Sequence, residues 1–498
     1  MRAAVVNVGC RLNQSEGDSL RGYLADQGYS LENVKCQMSN AKSIPQCQMP
    51  NDSGPLASHP PALHRLQSSI FNLQSPIPHG LSLVIVNTCC VTKEAERSSI
   101  SRIRQVARLS PKPELIVTGC MAEHDPARLR KIPGVDRVLG IAEKARLIAN
   151  APVVPDRSRA FLKVQDGCGN HCPYCVASVL RPEPKSKSPD QVQRETRALL
   201  DQGFQEIVLV GLNLGRYGHD SGSSLAELIS KLKARNSKLG TPRPWLLRLS
   251  SLEPDTVTEE LLAVIAGMCR ALERNAGKMQ ERCRKDAGRM QEMQEMQLLQ
   301  AQRSCNSCKR SDPATPILCP HFHIPLQSGD DGVLRVMRRH YTAGGYRRLI
   351  ERIAARIPDA CLGSDVIVGF PGEDDAAFEN TRRLIETSPL SYLHVFSYSP
   401  RPGTQAFALG DPVPRHVKRA RVATLRQLGD EKFRAYRRRF IGQVRPGIIV
   451  ESSLPRRPCA MPRVLTDNYL QVPLDTRSAR SGALVAVRIT EGSIKSEL

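Results

Sequence analysis

Three apolar runs within residues 1–150 share one feature, which is that each ends at a cysteine. The runs AAVVNVG, LVIVNT and LIVTG are rich in β-branched residues and stop at Cys10, Cys89 and Cys120. Two helical patterns, QSEGDSLRGYLADQG and KEAERSSISRIRQVARL, lie between the runs. This β-α-β-α-β order predicts a doubly wound parallel sheet, in which ligands bind beyond the carboxyl ends of the strands. We therefore expect the three thiols to meet at one edge of the sheet.

A second series of strands alternates with helices from about Phe161 to Arg401. Six such units predict a parallel β/α barrel, partial or complete, with its chemistry at the carboxyl ends of the strands. The predicted strands are FLKVQDG, EIVLVGLNLG, WLLRLSS, HFHIPLQSG, SDVIVGFPGE and YLHVFSYSPRPG.

The pattern changes after a basic helix around Lys418 to Arg439. Short alternating strands in GIIVESS, RVLTDNYLQVPL and GALVAVRITEG predict a small antiparallel β-barrel. Such barrels often bind oligonucleotides, but the pattern suits a packing module equally well. The fold class is therefore α/β, with a small β tail. The expected domains are residues 1–150, 155–436 and 440–492, and segments 36–80 and 268–316 interrupt the first two as surface insertions.

Charge and cysteine content narrow the class of protein. The 498 residues include 71 Lys and Arg against 49 Asp and Glu, a net charge of +22, which favours a nucleic-acid partner. The 16 cysteines lie in a long chain for which we expect no export leader, and no run approaches the roughly eighteen apolar residues of a membrane helix. We expect a cytoplasmic protein without a membrane segment, whose reduced thiols are available for metal.

A second cysteine trio follows the first strand of the central series. The loop QDGCGNHCPYC places Cys168, Cys172 and Cys175 in CxxxCxxC spacing. A disulfide needs an even number of thiols and a structural zinc site needs four ligands, whereas a cubane cluster held by three thiolates keeps one iron open to a small molecule. Both trios therefore predict a cluster that a non-protein ligand completes. Cys305 and Cys308 form a CxxC with Cys319 nearby, but a zinc site there lacks a fourth ligand at the usual spacing.

The loop QDGCGNHCPYC, after a strand and at the head of a predicted β/α barrel, resembles the cluster loop of radical S-adenosylmethionine enzymes. The resemblance implies that S-adenosylmethionine fills the open iron position and is cleaved reductively to a 5'-deoxyadenosyl radical. It also implies that Tyr174, just before Cys175, contacts the adenine of this cofactor.

Further motifs resemble the methylthiotransferases within that superfamily. VNVGCRLNQSEGD, IVNTCCVTKEAERSS and IVTGCMAE are similar to the cysteine motifs of their N-terminal domain, which implies a second [4Fe-4S] cluster on Cys10, Cys89 and Cys120. Cys90 stays unassigned. The small C-terminal barrel would then be a TRAM-like, RNA-binding domain.

The branch that modifies threonylcarbamoyladenosine at tRNA position 37 gives the most similar motifs, in EIVLVGLNLGRYG, RLSSLEPDTVT, PHFHIPLQSGDDGVLRVMRR, VIVGFPGE and YLHVFSYSPRPGT. This resemblance implies addition of a methylthio group to carbon 2 of the adenine in the tRNA anticodon loop. It also implies an electron donor such as flavodoxin or ferredoxin, and we expect a monomer.

Other strand ends supply candidate cofactor contacts. We expect S-adenosylmethionine to lie near these residues, although a turn-forming role is equally open for each of them. His321 and His323 share one face of a strand and either line the pocket or complete the barrel interior. The candidate cofactor residues are Asn213, Ser251, Glu253, Gly369 and Gly372.

Two stretches depart from the family pattern. The segment RPEPKSKS has Pro182 where glycine is usual, and Lys185 and Lys187 where arginine is usual. Proline fixes φ, and lysine lacks the two-pronged hydrogen bonding of arginine. Ile141 replaces the usual asparagine in VLGIAEK. Neither change removes a cluster ligand.

The sequence leaves both the substrate and the class of protein open. The substrate within the family is open between threonylcarbamoyladenosine, isopentenyladenosine in tRNA and an aspartate of a ribosomal protein, because these relatives share the cysteine motifs. A hypothesis of another class is an inactive, metal-stabilised RNA-binding protein.

Overall fold

The computed structural model describes residues 1–33, 77–235, 244–269, 316–450, 462–474 and 480–491. Most of the two predicted insertions, 36–80 and 268–316, lies outside the described residues, as do Cys305 and Cys308. At the inner border of the second insertion, Met268 and Cys269 are buried at the end of a helix, so regular structure continues to that point. The predicted α/β class is confirmed. None of the described helices combines the length and apolar character needed to cross a membrane.

The N-terminal region is a five-stranded parallel sheet in the order β2-β1-β3-β4-β5. Its central strands are apolar because helices cover both faces, and Val6, Val84 and Val117 are fully buried. The neighbours β1, β3 and β4 all point the same way, so their carboxyl ends lie along one edge. The strands are β1 (Arg2–Asn7), β2 (Ser30–Glu32), β3 (Leu83–Thr88), β4 (Glu114–Gly119) and β5 (Arg137–Val138). The helices are α1 (Arg11–Asp26), α2 (Lys93–Ala107), α3 (Cys120–His124), α4 (Pro126–Arg130) and α5 (Ile141–Ile148).

The central region contains the six predicted parallel strands, together with the short β11. They form two sheets, β11-β10-β9-β6 and β12-β13-β14, and a separate antiparallel pair joins β7 to β8. Within the described residues β10 and β12 are not ladder partners, although the Leu252 amide after β10 donates to the His323 carbonyl at 2.9 Å. The strands are β6 (Ala160–Lys163), β7 (Gln165–Asp166), β8 (Lys185–Ser186), β9 (Glu206–Val210), β10 (Leu246–Leu249), β11 (Ile317–Leu318), β12 (His321–His323), β13 (Cys361–Val368) and β14 (Tyr392–Ser397).

Side-chain caps set the starts of several central helices. Ser188, Asp330, Thr342 and Asp374 each accept a hydrogen bond from the backbone three residues later. Such a bond satisfies an amide that has no partner within the helix. The helices are α6 (Val176–Leu180), α7 (Pro189–Asp201), α8 (Leu225–Arg235), α9 (259–269), α10 (Asp331–Val336), α11 (Ala343–Arg356) and α12 (Asp375–Thr387).

The C-terminal region is an antiparallel sheet that follows the long basic helix α13 (Arg415–Arg438). The predicted small β unit is therefore present as four strands in the order β17-β16-β15-β18. Arg248 on β10 holds it in place by donating to the carbonyls of Thr466 and Asp467, each at 3.0 Å. The Tyr469 ring stacks on His321 with 3.9 Å between ring centroids. The strands are β15 (Val444–Val450), β16 (Arg463–Thr466), β17 (Gln471–Pro473) and β18 (Leu484–Arg488).

Candidate active site

The N-terminal trio lies at the carboxyl ends of three adjacent strands. Cys10 follows β1, Cys89 follows β3 and Cys120 begins α3 directly after β4. Gly9 has φ +111°, and a β-carbon added to it would lie 2.4 Å from Cys89 Cβ and 2.7 Å from its sulfur. Only glycine both adopts this conformation readily and leaves room for the neighbouring thiol. The backbone before Cys10 can therefore pass close beside Cys89.

Hydrogen bonds hold these strand ends together. The Asn13 side-chain amide donates to the Asn87 carbonyl at 3.2 Å and to the Thr88 carbonyl at 3.0 Å, which ties α1 to the end of β3. The Ser99 hydroxyl accepts from the Cys89 amide at 3.0 Å. The thiols are thus carried by a backbone with few degrees of freedom.

Burial shapes the chemistry of the thiols. Burial, together with the neighbouring thiols of Cys10 and Cys120, raises the pKa of Cys89 well above its usual value. Burial also raises the pKa of Cys120. Buried neutral thiols become thiolates when a cation binds them, because a metal ligand is deprotonated outright. This donor set suits an iron–sulfur cluster, and three such ligands leave one iron to another group.

The second trio lies in the loop between β7 and α6. Gly167 has φ +74°, and an added β-carbon would lie 1.8 Å from the Glu183 carbonyl oxygen, so the loop crosses the segment after α6 at close range. The Cys168 amide donates to the Arg181 carbonyl at 2.9 Å, and the Cys175 amide donates to the Cys172 carbonyl at 3.0 Å. Burial raises the pKa of the Cys175 thiol to about 11. The loop is therefore folded back on itself with its three cysteines close together.

Polar side chains from distant parts of the chain reach the sulfur atoms of this loop. Arg339 donates to Cys172 Sγ at 3.2 Å and is ion-paired with Glu253. The Asn213 side-chain amide lies 3.8 Å from Cys168 Sγ, and its backbone amide donates to Gln165 at 2.9 Å. Donors to cluster sulfurs tune reduction potentials in iron–sulfur proteins. The predicted residues Asn213 and Glu253 thus lie beside the loop, whereas Ser251 is exposed next to them.

The turn after β13 reaches the same loop through aromatic contacts. Phe370 packs edge-to-face on Tyr174, with 6.0 Å between the ring centroids. Gly369 and Gly372, with φ of +75° and +94°, flank this contact. Nothing lies within 4 Å of a β-carbon added to Gly372, which leaves its backbone open to a ligand. The Glu373 carboxylate accepts from the Gly369 amide at 2.8 Å and so holds the turn.

Buried polar atoms without hydrogen-bond partners indicate whether a cofactor would fit beside this loop. Tyr174 Oη, Asn213 Oδ1 and Asn170 Oδ1 are buried, and none of them hydrogen-bonds to the described part of the chain. Buried polar atoms normally have partners. Three of them around three thiols fit a bound group that carries both donors and acceptors, as S-adenosylmethionine does.

The segments that carry the two trios pack against each other. Val176, directly after Cys175, belongs to the same apolar cluster as Cys120, Met121 and Cys90. Burial, with Cys120 and Cys175 among its neighbours, raises the pKa of Cys90 to about 12. Contacts between α3 and α6 therefore join the two cysteine-bearing segments directly.

A buried ion cluster, which we call the Glu16 cluster, lies beside this contact. It consists of Glu16, Lys144, Lys163, Asp166 and Arg181. The Glu16 carboxylate is bonded by Lys144 at 2.5 Å, by Lys163 at 2.9 Å and by both terminal nitrogens of Arg181 at 2.8 and 3.1 Å. Arg181 also donates to Asp166 at 2.6 Å. Burial opposes the charge of Glu16, but the three cations outweigh it and hold its pKa well below the usual value.

The departures from the family pattern have defined positions. The Lys187 ammonium is paired with the Glu195 carboxylate at 2.6 Å, and Lys185 is exposed. The Ile141 backbone amide donates to Glu123 at 2.7 Å. These contacts place neither lysine against a cysteine of the loop. Arg181, which precedes Pro182, keeps its two-pronged ion pair with Glu16.

Comparison with known proteins agrees with this geometry. Residues 67–140 match the family described as "Uncharacterized protein family UPF0004", and residues 312–385 match the radical SAM superfamily. The threonylcarbamoyladenosine tRNA methylthiotransferase MtaB of Thermotoga maritima is 32% identical over an alignment of 394 residues that covers 74% of this chain and 78% of that protein. The chain belongs to the threonylcarbamoyladenosine tRNA methylthiotransferase family.

Two further members of the family cover still more of the chain. The protein of the same name from Bacillus subtilis is 30% identical and aligns with 81% of this chain and 84% of its own length. The one from Aquifex aeolicus is 26% identical over 95% and 96% of the two chains. The predicted family is therefore confirmed. Its radical SAM chemistry implies S-adenosylmethionine and a [4Fe-4S] cluster.

Sequence reasoning missed several residues of this site. Arg339, Lys144 and Glu16 lie within quoted motifs, but the motifs gave them no role, because each contacts a residue at least 86 positions away in the chain. Taken alone, a charge within a helix or turn usually marks a solvated surface.

Proposed function

We propose that this chain converts N6-threonylcarbamoyladenosine at tRNA position 37 to its 2-methylthio derivative, using two [4Fe-4S] clusters and S-adenosylmethionine. Cys168, Cys172 and Cys175 would hold the radical cluster. The auxiliary cluster would be held by Cys10, Cys89 and Cys120. The observation that carries the proposal is the direct packing of α3 against α6, because it brings one cysteine trio beside the other.

The residues around the radical trio have distinct roles in this proposal. When bound, the reduced cluster and S-adenosylmethionine would supply an adenosyl radical, and the second cluster would hold the sulfur that is attached to the base. Arg339 and Asn213 donate to the sulfurs of Cys172 and Cys168, which stabilises negative charge there. Tyr174 and the open backbone at Gly372 would contact the cofactor, and Glu253 keeps Arg339 in place. Gly369 would allow the close approach of this turn.

Basic surfaces support a tRNA substrate. A groove of about 660 Å³ on the N-terminal region is lined by Arg97, Arg104, Arg108 and Arg128. Arginines can contact phosphates, and such contacts position a nucleic acid without reading its sequence. An unpaired anticodon-loop base can be turned out toward a strand-end site at little cost. We further propose a cytoplasmic monomer, which would receive electrons from a flavodoxin or ferredoxin as the resemblance to the family implies.

Nucleoside mass spectrometry of tRNA tests the proposal. A strain that lacks this chain should lose 2-methylthio-N6-threonylcarbamoyladenosine and accumulate the unmethylthiolated nucleoside. The wild-type gene should restore it, whereas Cys172→Ala and Cys89→Ala should not. Cys361→Ala is the matched control, because Cys361 is buried in β13 outside both trios. It should restore the modification.

The same measurement separates the alternatives. If the deletion strain instead lacks the methylthio group on isopentenyladenosine, or on a ribosomal protein aspartate, that molecule is the substrate of this chain. Unchanged nucleosides, combined with tRNA binding but no cleavage of S-adenosylmethionine, would favour an inactive RNA-binding protein. Purified, oxygen-protected protein should hold about eight irons in two cubanes.

A further inference from the structure

Three neighbouring strands place two imidazoles and a carboxylate around one point, apart from both cysteine trios. His323 ends β12, and Asp365 and His394 are direct partners in the pairing of β13 with β14. Asp365 Oδ1 lies 3.0 Å from His323 Nε2 and 3.2 Å from His394 Nδ1. One nitrogen or oxygen atom of each residue lies within 4.8 Å of the other two.

We propose that His323, Asp365 and His394 form a binding site for a divalent first-row transition metal ion. Two histidines and one carboxylate are a recurrent ligand set for Fe(II), and zinc uses the same donor types. Ligands about 2.1 Å from an ion and roughly 90–100° apart are separated by about 3.0–3.2 Å. The Asp365 oxygen has this separation from each imidazole nitrogen.

The Tyr392 hydroxyl holds the imidazole of His323 in its orientation. The other ring nitrogen of His323, Nδ1, lies 3.1 Å from the Tyr392 hydroxyl, which lies 2.9 Å from His321 Nε2. Histidines that bind metals usually hydrogen-bond through their second nitrogen, which fixes the ring. Gly363 makes this arrangement possible, because a β-carbon there would lie 2.0 Å from the Tyr392 ring.

The charge and the exposure of these three side chains suit a bound metal ion. Burial opposes ionisation of Asp365, but the imidazoles of His323 and His394 outweigh it and lower its pKa, so the carboxylate is charged. The side chains of His394 and Asp365 are 37% and 27% exposed, whereas that of His323 is 7% exposed. The ion would therefore be anchored on its buried side and keep coordination positions open on the other. Two nitrogen ligands disfavour magnesium and calcium, which prefer oxygen.

Manganese is a suitable probe, because Mn²⁺ is a divalent first-row ion that has little affinity for the thiolates of the clusters. The protein with its clusters loaded is titrated with MnCl₂, and the electron paramagnetic resonance signal of free Mn²⁺ is followed. We expect one Mn²⁺ per chain, displaced by Zn²⁺. Asp365→Asn and His394→Gln should each weaken binding at least about tenfold. His416→Gln, in an exposed position at the start of α13, should bind as the wild type does.

Iron content and circular dichroism show whether each variant is folded, so weaker Mn²⁺ binding can be assigned to the site itself. The alternative is a purely hydrogen-bonded trio, with both imidazoles donating to Asp365. The proposal is overturned if the folded wild-type protein binds no Mn²⁺. It is also overturned if Asp365→Asn and His394→Gln bind Mn²⁺ as tightly as the wild type does. This readout does not depend on methylthiotransferase activity, so it stands or fails separately from the proposed function.

Discussion

Glu16 and Arg181 form a buried two-pronged ion pair that connects the helix after Cys10 to the segment after Cys175. Glu16 lies in α1, six residues after Cys10, and Arg181 lies six residues after Cys175. Their side chains are 2% and 4% exposed. The relative position of the two cysteine segments thus depends on a charge pair that packs between the N-terminal sheet and the central strands.

Replacing Glu16 tests this dependence. Glu16→Gln keeps the shape of the side chain but leaves Lys144 and Arg181 buried without their main counter-charge. Breaking a buried ion pair in this way should lower the free energy of unfolding by about 3–5 kcal/mol, measured by urea denaturation at pH 7. Glu259→Gln is the control, because Glu259 is 57% exposed and pairs with Arg352 at 2.6 Å. That change should cost less than about 1 kcal/mol, and equal losses for both variants would contradict the prediction.

Asp18 makes stability depend on pH. Burial raises the pKa of this carboxyl from 3.8 to about 7, although Arg157 opposes the shift. The unfolded chain releases the proton at lower pH than the folded chain does, so the contribution of Asp18 is fully present below pH 3.8 and is lost as pH rises through about 7. The stability of Asp18→Asn relative to wild type should therefore increase between pH 4 and pH 8. A difference that stays constant across this range would disprove the shift.

Gly9 should be required for the N-terminal cluster. In Gly9→Ala the new methyl group would meet Cys89 at 2.4 Å, in a backbone conformation that alanine resists. We expect about half of the iron to be lost, with the radical cluster retained, as measured by iron analysis and Mössbauer spectroscopy.

Gly203→Ala is the matched control for backbone strain. Gly203 has φ +92°, and nothing lies within 4 Å of an added β-carbon. This variant should keep its full iron content. Equal iron in both alanine variants would show that the contact with Cys89 does not matter.

Arg339 should set the potential of the radical cluster. Arg339→Gln removes a positive charge and a donor 3.2 Å from Cys172 Sγ. The reduced cluster carries more negative charge, so its midpoint potential should fall by on the order of tens of millivolts. Cleavage of S-adenosylmethionine should fall with it, by roughly ten- to a hundredfold. Arg335→Gln, an exposed position in α10, should leave the potential unchanged in the same redox titration.

Much of the fold was predictable because its signals are local. The β-branched runs before Cys10, Cys89 and Cys120 predicted parallel strands, and the structure forms β1, β3 and β4 there. The six strand patterns of the central region are present as well. Whether these strands close into a barrel was not predictable. Closure depends on how β10 and β12 pack and not on the apolar pattern within either strand.

The candidate site was predictable only where its residues stand next to a recognisable motif. The trio Cys168, Cys172 and Cys175 lies within eight consecutive positions, so spacing alone revealed it. Asn213 and Glu253 follow strands and were expected at the site for that reason. His323 was expected only to share a face with His321, and the sequence contains no sign that Asp365 and His394 would approach it.

The sequence by itself determined the order of strands and helices, the two cysteine trios and the family, because hydrophobic period, cysteine spacing and motif are properties of short segments. Only the tertiary structure decided which charges and imidazoles meet. Glu16 contacts Lys144, Lys163 and Arg181 across 128, 147 and 165 positions of chain. Such contacts exist only once α1, α5 and the cluster loop have packed together, and no local pattern encodes that packing. Burying these charges is costly unless each is paired with an opposite charge.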